Sequence, residues 1–235
     1  MRSFAALYEI AAARKGGADA LERRLAETAP LPRAAIAATP DDRILAAMTQ
    51  RIFSAGFSWK VIEAKWPGFE AAFFGFEPHA CAFLAGEQFE ALLHNADIVR
   101  NGAKIRSVQV NARFLLDLAA EHGTAARFFA DWPDDDLVGL LEVLKARGSH
   151  LGGDAAPRTL RAIGKPAWVA TPDVVAALIR EGVIDRPPTS KRDRTAIQAA
   201  FNAWAAESGR DATTIGRTLA MTVESPSPAS HGRHA

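Results

Sequence analysis

The chain has 235 residues, 49% hydrophobic and 23% charged, with a net charge of +1 and one cysteine, Cys81. Those figures exclude a chain disordered throughout, an intramolecular disulfide and a cysteine-rich zinc module. No run of about 18 apolar residues occurs, and Glu9 breaks the apolar start, so neither a membrane span nor a signal peptide is expected and the expected location is cytoplasmic. A small net charge leaves nucleic-acid binding open, because local distribution matters more than the sum. Here the distribution is uneven: five basic residues and one acid between Lys145 and Lys165, three basic residues and no acid from Arg100 to Arg106, four acids from Asp131 to Asp136.

The first segment, residues 1–39, predicts an N-terminal helix and a linker; residues 28–40 hold three prolines. Thr39-Pro40-Asp41-Asp42 reads as the start of a helix, with a cap, a proline at the first position and acids in the first turn. Ile44, Leu45, Met48, Ile52 and Phe53 then fall on one helical face. Residues 51–78 hold eight aromatics in 28 positions, a density that is mostly core. Gly56-Phe57-Ser58-Trp59 follows a helix end, so its rings could instead line a groove and stack on a flat cationic ligand.

Asn101-Gly102 reads as a turn flanked by Arg100, Lys104 and Arg106. Ile105, Val108, Ala112 and Leu115 follow with helical spacing. Leu137, Leu140, Leu141 and Leu144 repeat that spacing. They lead into residues 147–166, RGSHLGGDAAPRTLRAIGKP. That segment is open to two readings. One is an ordinary turn between helices. The other is a glycine hairpin whose backbone N–H groups grip a phosphate, with Lys145, Arg147 and Arg158 adding Coulomb attraction. Thr171-Pro172-Asp173 opens a further helix, where Asp173 is either a dipole-stabilising acid or a catalytic one. Ile197, Ala200, Phe201 and Trp204 mark the next helix. Gly56, Gly123, Gly148, Gly164, Gly182 and Gly209 sit near helix ends. The sum is an all-α protein of roughly ten helices. A body over 40–223 is followed by a tail, 224–235, whose His231 and His234 read as a solvated end or a metal-binding one.

Four segments in order resemble the 3-methyladenine DNA glycosylase I family of the helix-hairpin-helix glycosylase superfamily: AGFSW at 55–59, F-GFEP at 74–78, DIVRNGAKI at 97–105 with Asn111-Ala112, and LKARGSHLGG at 144–153. The resemblance spans about residues 40–175. It implies a two-lobed helical fold with double-stranded DNA in the cleft between lobes. It implies excision of an alkylated, 3-methyladenine-like purine by hydrolysis of its N-glycosidic bond after base flipping. A monomer is expected. By position, Trp59 matches the base-stacking residue, with Phe53, Arg51 and Tyr8 as further base-pocket candidates. Phe57 matches the DNA wedge. Lys145, Arg147, Gly148, Ser149, Gly152 and Gly153 match the DNA-backbone hairpin.

Several positions depart from the family. Arg51 stands where the family has a base-binding carboxylate. The family's zinc clamp has no counterpart, and its histidine falls at Asp173, so neither a metal nor a cofactor is expected. Asp173 follows a Gly/Pro-rich loop, as a catalytic aspartate does in many superfamily members. It is the candidate for stabilising the sugar cation or orienting water. Three functional readings follow. The first is an active glycosylase. The second is a non-catalytic or specificity-shifted binder of damaged DNA. The third is a helical interaction protein that kept only the scaffold.

Overall fold

The structure, a computed structural model, describes residues 1–224. The expected tail, with His231 and His234, lies outside the described residues from 225 onward. Among the described residues there are fourteen α-helices, one 3-10 turn and no strand, so the fold is all-α. The number exceeds the roughly ten expected because helices of five to seven residues are too short to display a period. Among the described residues, no helix is long and apolar enough to cross a membrane.

The chain divides into two compact units. One is continuous, Pro30–Ala167; the other joins Met1–Ala29 to the chain from Trp168 onward. The continuous unit holds α3 (Arg33–Ala37), α4 (Asp41–Ser54), α5 (Trp59–Ala72), α6 (Pro78–Ala82), α7 (Gly86–His94), α8 (Gly102–His122), α9 (Ala125–Asp131), α10 (Leu137–Arg147) and α11 (Ala155–Ala162). At its centre is α8, which packs on α4, α6 and α9. The predicted face of α8 is the buried one: Ile105, Val108, Ala112 and Leu115 are all solvent-inaccessible or nearly so.

The aromatic segment splits as its density suggested. Phe53, Phe69, Phe73 and Phe76 are fully buried. Trp66 stacks on Phe69 and Phe76 at 5.6 and 5.3 Å between centroids. The F-GFEP segment is largely structural. Phe74 and Phe76 turn the chain through positive φ. Glu77 then caps α6, its carboxylate accepting from the N–H groups of His79 and Ala80.

Two local expectations need correction. Residues 28–40 are not a plain linker, because α3 forms within them, buries Ile36 and packs on α9. Thr39 does not cap α4. Pro40 occupies the cap position, and the Thr39 hydroxyl donates to the Ala35 carbonyl instead.

The second unit holds α1 (Phe4–Lys15), α2 (Ala18–Ala26), α12 (Pro172–Arg180), α13 (Lys191–Ser208) and α14 (Ala212–Met221). The single N-terminal helix expected is thus two, broken at Gly16 and Gly17, whose φ values of 91° and 103° suit only glycine. Trp204, Phe201, Leu7 and Leu21 form the buried centre. Here Thr171 caps α12 as expected, its hydroxyl accepting from the Val174 N–H.

Candidate functional site

Helix α4 ends at Ser54, and the chain turns through Gly56 at φ 78° before α5 begins at Trp59. This short connection pushes two rings outward. Phe57 is 44% exposed and Trp59 39%, against complete burial of Phe53 six residues before Trp59. The turn is braced from α8. The Lys104 ammonium donates to the Ala55 carbonyl at 2.6 Å and the Phe53 carbonyl at 3.3 Å. It also lies 4.9 Å from the centre of the Phe57 ring. Lys104 therefore neutralises the carbonyl end of α4 and holds the turn open. Burial lowers its pKa from the usual lysine value.

Arg51, in the last turn of α4, places its guanidinium carbon 4.6 Å from the centre of the Trp59 ring. Its Nε is buried and has no hydrogen-bond partner. Burial, and after it the like charge of Arg158, lowers the Arg51 pKa from the ordinary arginine value. Packing of α11 on α4 brings Arg158 near. An arginine stays charged even so.

The hairpin after α10 is held by a side chain from α8. Asn111, 1% exposed, accepts from the Ser149 N–H at 2.7 Å and donates to the Ser149 carbonyl at 3.1 Å. Gly148 fits where no side chain could: a Cβ there would lie 2.7 Å from the Leu144 carbonyl and 2.6 Å from Leu151. His150 and Gly153 take φ of 59° and 53°, and Gly152 has open space around it. The loop thus leaves an exposed strip of backbone at Gly152 and Gly153 over a rigid base.

The basic residues around it are mostly committed elsewhere. Arg147 forms a two-pronged ion pair with Glu121 and lies over Phe114. Arg158 pairs with Asp154. Arg161 donates to the Ala167 carbonyl. Lys165 is buried against Asp134 and the Trp132 carbonyl. Lys145 is exposed on the last turn of α10.

Among the base-pocket candidates, Trp59 and Arg51 are in contact, whereas Phe53 belongs to the core. Its ring packs edge-on against Phe69 at 4.7 Å and has no open face. Tyr8 and Asp173 belong to the other unit. The Tyr8 hydroxyl donates to Glu22, which also pairs with Arg210. Burial, with Glu22 adding to it, raises the Tyr8 pKa above the usual phenol value. Asp173 sits in the first turn of α12. Among the described residues, no group of three or more His, Cys, Asp or Glu side chains could hold a metal ion.

Residues 36–138 match the family model described as methyladenine glycosylase. Over that span the chain is similar to the methyladenine glycosylase family. The span takes in Arg51, Phe57, Trp59, Lys104 and Asn111, while the hairpin and Asp173 lie beyond it. Among solved structures, the chain is similar to a 3-methyladenine DNA glycosylase I at 24% identity, covering 58% of this chain and 82% of that one with a TM-score of 0.48. It is also similar to the Staphylococcus aureus 3-methyladenine DNA glycosylase I at 22% identity, covering 52% and 76% of the two chains with a TM-score of 0.47. Within the matched segment, neither the Lys104 brace nor the Asn111 clamp is legible from the sequence. Both lie in segments that carried the resemblance, but their partners are distant in sequence.

Proposed function

We propose that this protein is a DNA glycosylase that removes a damaged purine after the nucleotide leaves the duplex stack. The reading rests above all on the exposed Phe57-Ser58-Trp59 turn, braced by Lys104 within the methyladenine glycosylase segment. A flipped base needs an aromatic face to rest on, and the gap it leaves needs an apolar plug. Trp59 supplies the face and Phe57 the plug. The hairpin holds the backbone, chiefly through the exposed main chain at Gly152 and Gly153 and through Lys145, since the Gly148 and Ser149 N–H groups and the Arg147 and Arg158 side chains are paired within the protein. Water adds at the sugar C1′ as the bond to the base nitrogen breaks; the base leaves with the bonding electron pair, and the proton released by the water passes to the departing base or to solvent. Asp173 is the carboxylate assigned to stabilise the sugar cation or orient that water.

Methylated duplex DNA incubated with the purified protein tests this reading, with released bases separated by chromatography. Release of a methylated purine is expected. Trp59→Ala should abolish it, and Asp173→Asn should slow single-turnover release about a hundredfold. Unchanged release by the Asn variant removes Asp173 from the chemistry. No release, together with salt-sensitive binding to abasic duplex, favours the second reading, a binder of damaged DNA with altered or lost activity. One observation supports that second reading: a cation, Arg51, stands against the pocket tryptophan. At an effective dielectric of ~20, two unit charges about 4 Å apart repel by about 4 kcal/mol, which penalises a cationic purine.

A further inference from the structure

The guanidinium of Arg51 is unlike several others in the chain. Arg43, Arg147, Arg158 and Arg210 each meet a carboxylate. Arg51 lies against an indole, with a buried Nε that donates to nothing and with Arg158 as its charged neighbour. A buried donor without an acceptor costs free energy that a ligand can recover. The neighbouring donors are not free to do the same work, because Lys104 is bound to two main-chain carbonyls.

The shape of the missing acceptor follows from the donor. A guanidinium edge presents two parallel N–H groups and matches two adjacent acceptors in one plane. On a purine, the exocyclic oxygen at C6 and the ring nitrogen N7 form such a pair. Methylation at N7 removes one acceptor and adds a positive charge, so it fails on both counts. We propose that Arg51 and Trp59 together form a receptor for a neutral 6-oxopurine, hypoxanthine being the simplest, in preference to a cationic alkylated purine. The proposal builds on the glycosylase reading for its DNA context, and it narrows the substrate class of the same site. Trp59 provides the stacking surface; Arg51 decides which base is held there.

Duplexes identical except for one base, hypoxanthine or 7-methylguanine, separate the alternatives. Affinity is measured by fluorescence anisotropy, and excision in a single turnover by alkaline cleavage at the abasic site. The expected result is about tenfold tighter binding of the hypoxanthine duplex. Arg51→Glu should reverse the preference. Arg51→Lys, which keeps the charge and loses the fork, should bring the ratio toward one. Preference for 7-methylguanine by the natural protein, equal affinity for both, or a ratio unmoved by Arg51→Lys overturns the proposal. If Arg51→Glu does not fold, the natural ratio and the lysine variant decide. A tenfold binding preference without cleavage at either base supports the receptor and removes the glycosylase reading. Cleavage at both bases with equal affinity does the reverse.

Discussion

Asn111 shows how a single side chain can set the geometry of a loop remote in sequence. Its amide serves both the N–H and the carbonyl of Ser149, 38 residues away, at 1% exposure. Two partly buried main-chain groups depend on it, so Asn111→Ala should destabilise the protein by about 1–3 kcal/mol. Chemical denaturation measures the loss. Hydrogen exchange should place the added opening at Ser149 rather than along α8. The sequence marked Asn111 through its place in a family pattern, but its partner is visible only when α8 and the hairpin are side by side. Arg51 is the opposite case. Its departure from the family pattern was legible at once, yet its lack of a carboxylate partner and its contact with Trp59 needed coordinates. Phe53 was legible as a core position on its helical face, and its burial against Phe69 agrees with that face rather than with a base-pocket role.

At the level of elements, helix starts were readable and their partners were not. The acids after Pro40 were expected to favour the start of α4 itself. Asp41 instead reaches the start of α9, accepting from the Ala125 and Ala126 N–H groups at 3.3 and 3.2 Å. A carboxylate borrowed from another helix satisfies the same unpaired donors as a local cap. Asp41→Ala should therefore cost about 1 kcal/mol. Asp42→Ala, which removes exposed contacts with the guanidinium and the main-chain N–H of Arg43, should change stability by less than about 0.5 kcal/mol. Equal effects in urea denaturation would contradict this assignment. The short helices α3, α6 and α9 escaped the sequence because five to seven residues complete too few turns for a period to emerge. α3 is covered by α9, α6 is capped by Glu77 and covered by α8, and α9 receives Asp41 at its start.

For the molecule as a whole, the unit that joins the two ends of the chain has its own electrostatic anchor. Glu181, with its side chain 2% exposed, accepts from the Arg2 main-chain N–H and from the Arg2 and Arg180 guanidinium groups. Burial pushes its carboxyl pKa up, but those three donors outweigh it and the net shift is downward. A carboxylate held below its unfolded value stabilises the fold fully above that value, about 4.3, and loses the contribution as pH falls through the folded value. Glu181→Gln should thus cost about 3 kcal/mol at neutral pH, and the difference from the natural protein should shrink below about pH 4. Denaturation midpoints measured across the acid range test the sign. A difference that grows on acidification would refute it.

The all-α class, the long helices and the aromatic turn were determined by the sequence alone, because periodicity, caps and glycine stops act over a few residues. The family segment was legible for the same reason: its motifs are local and ordered. Which cations remain available was decided only by tertiary structure. Arg147, Arg158 and Lys165 read as one basic cluster, yet each meets an acid inside the protein. Charge pairing depends on distance in space, to which sequence order is blind. The union of the first 29 residues with the chain from Trp168 onward was likewise decided by packing. Apolar faces state that they must be buried, but not against which partner.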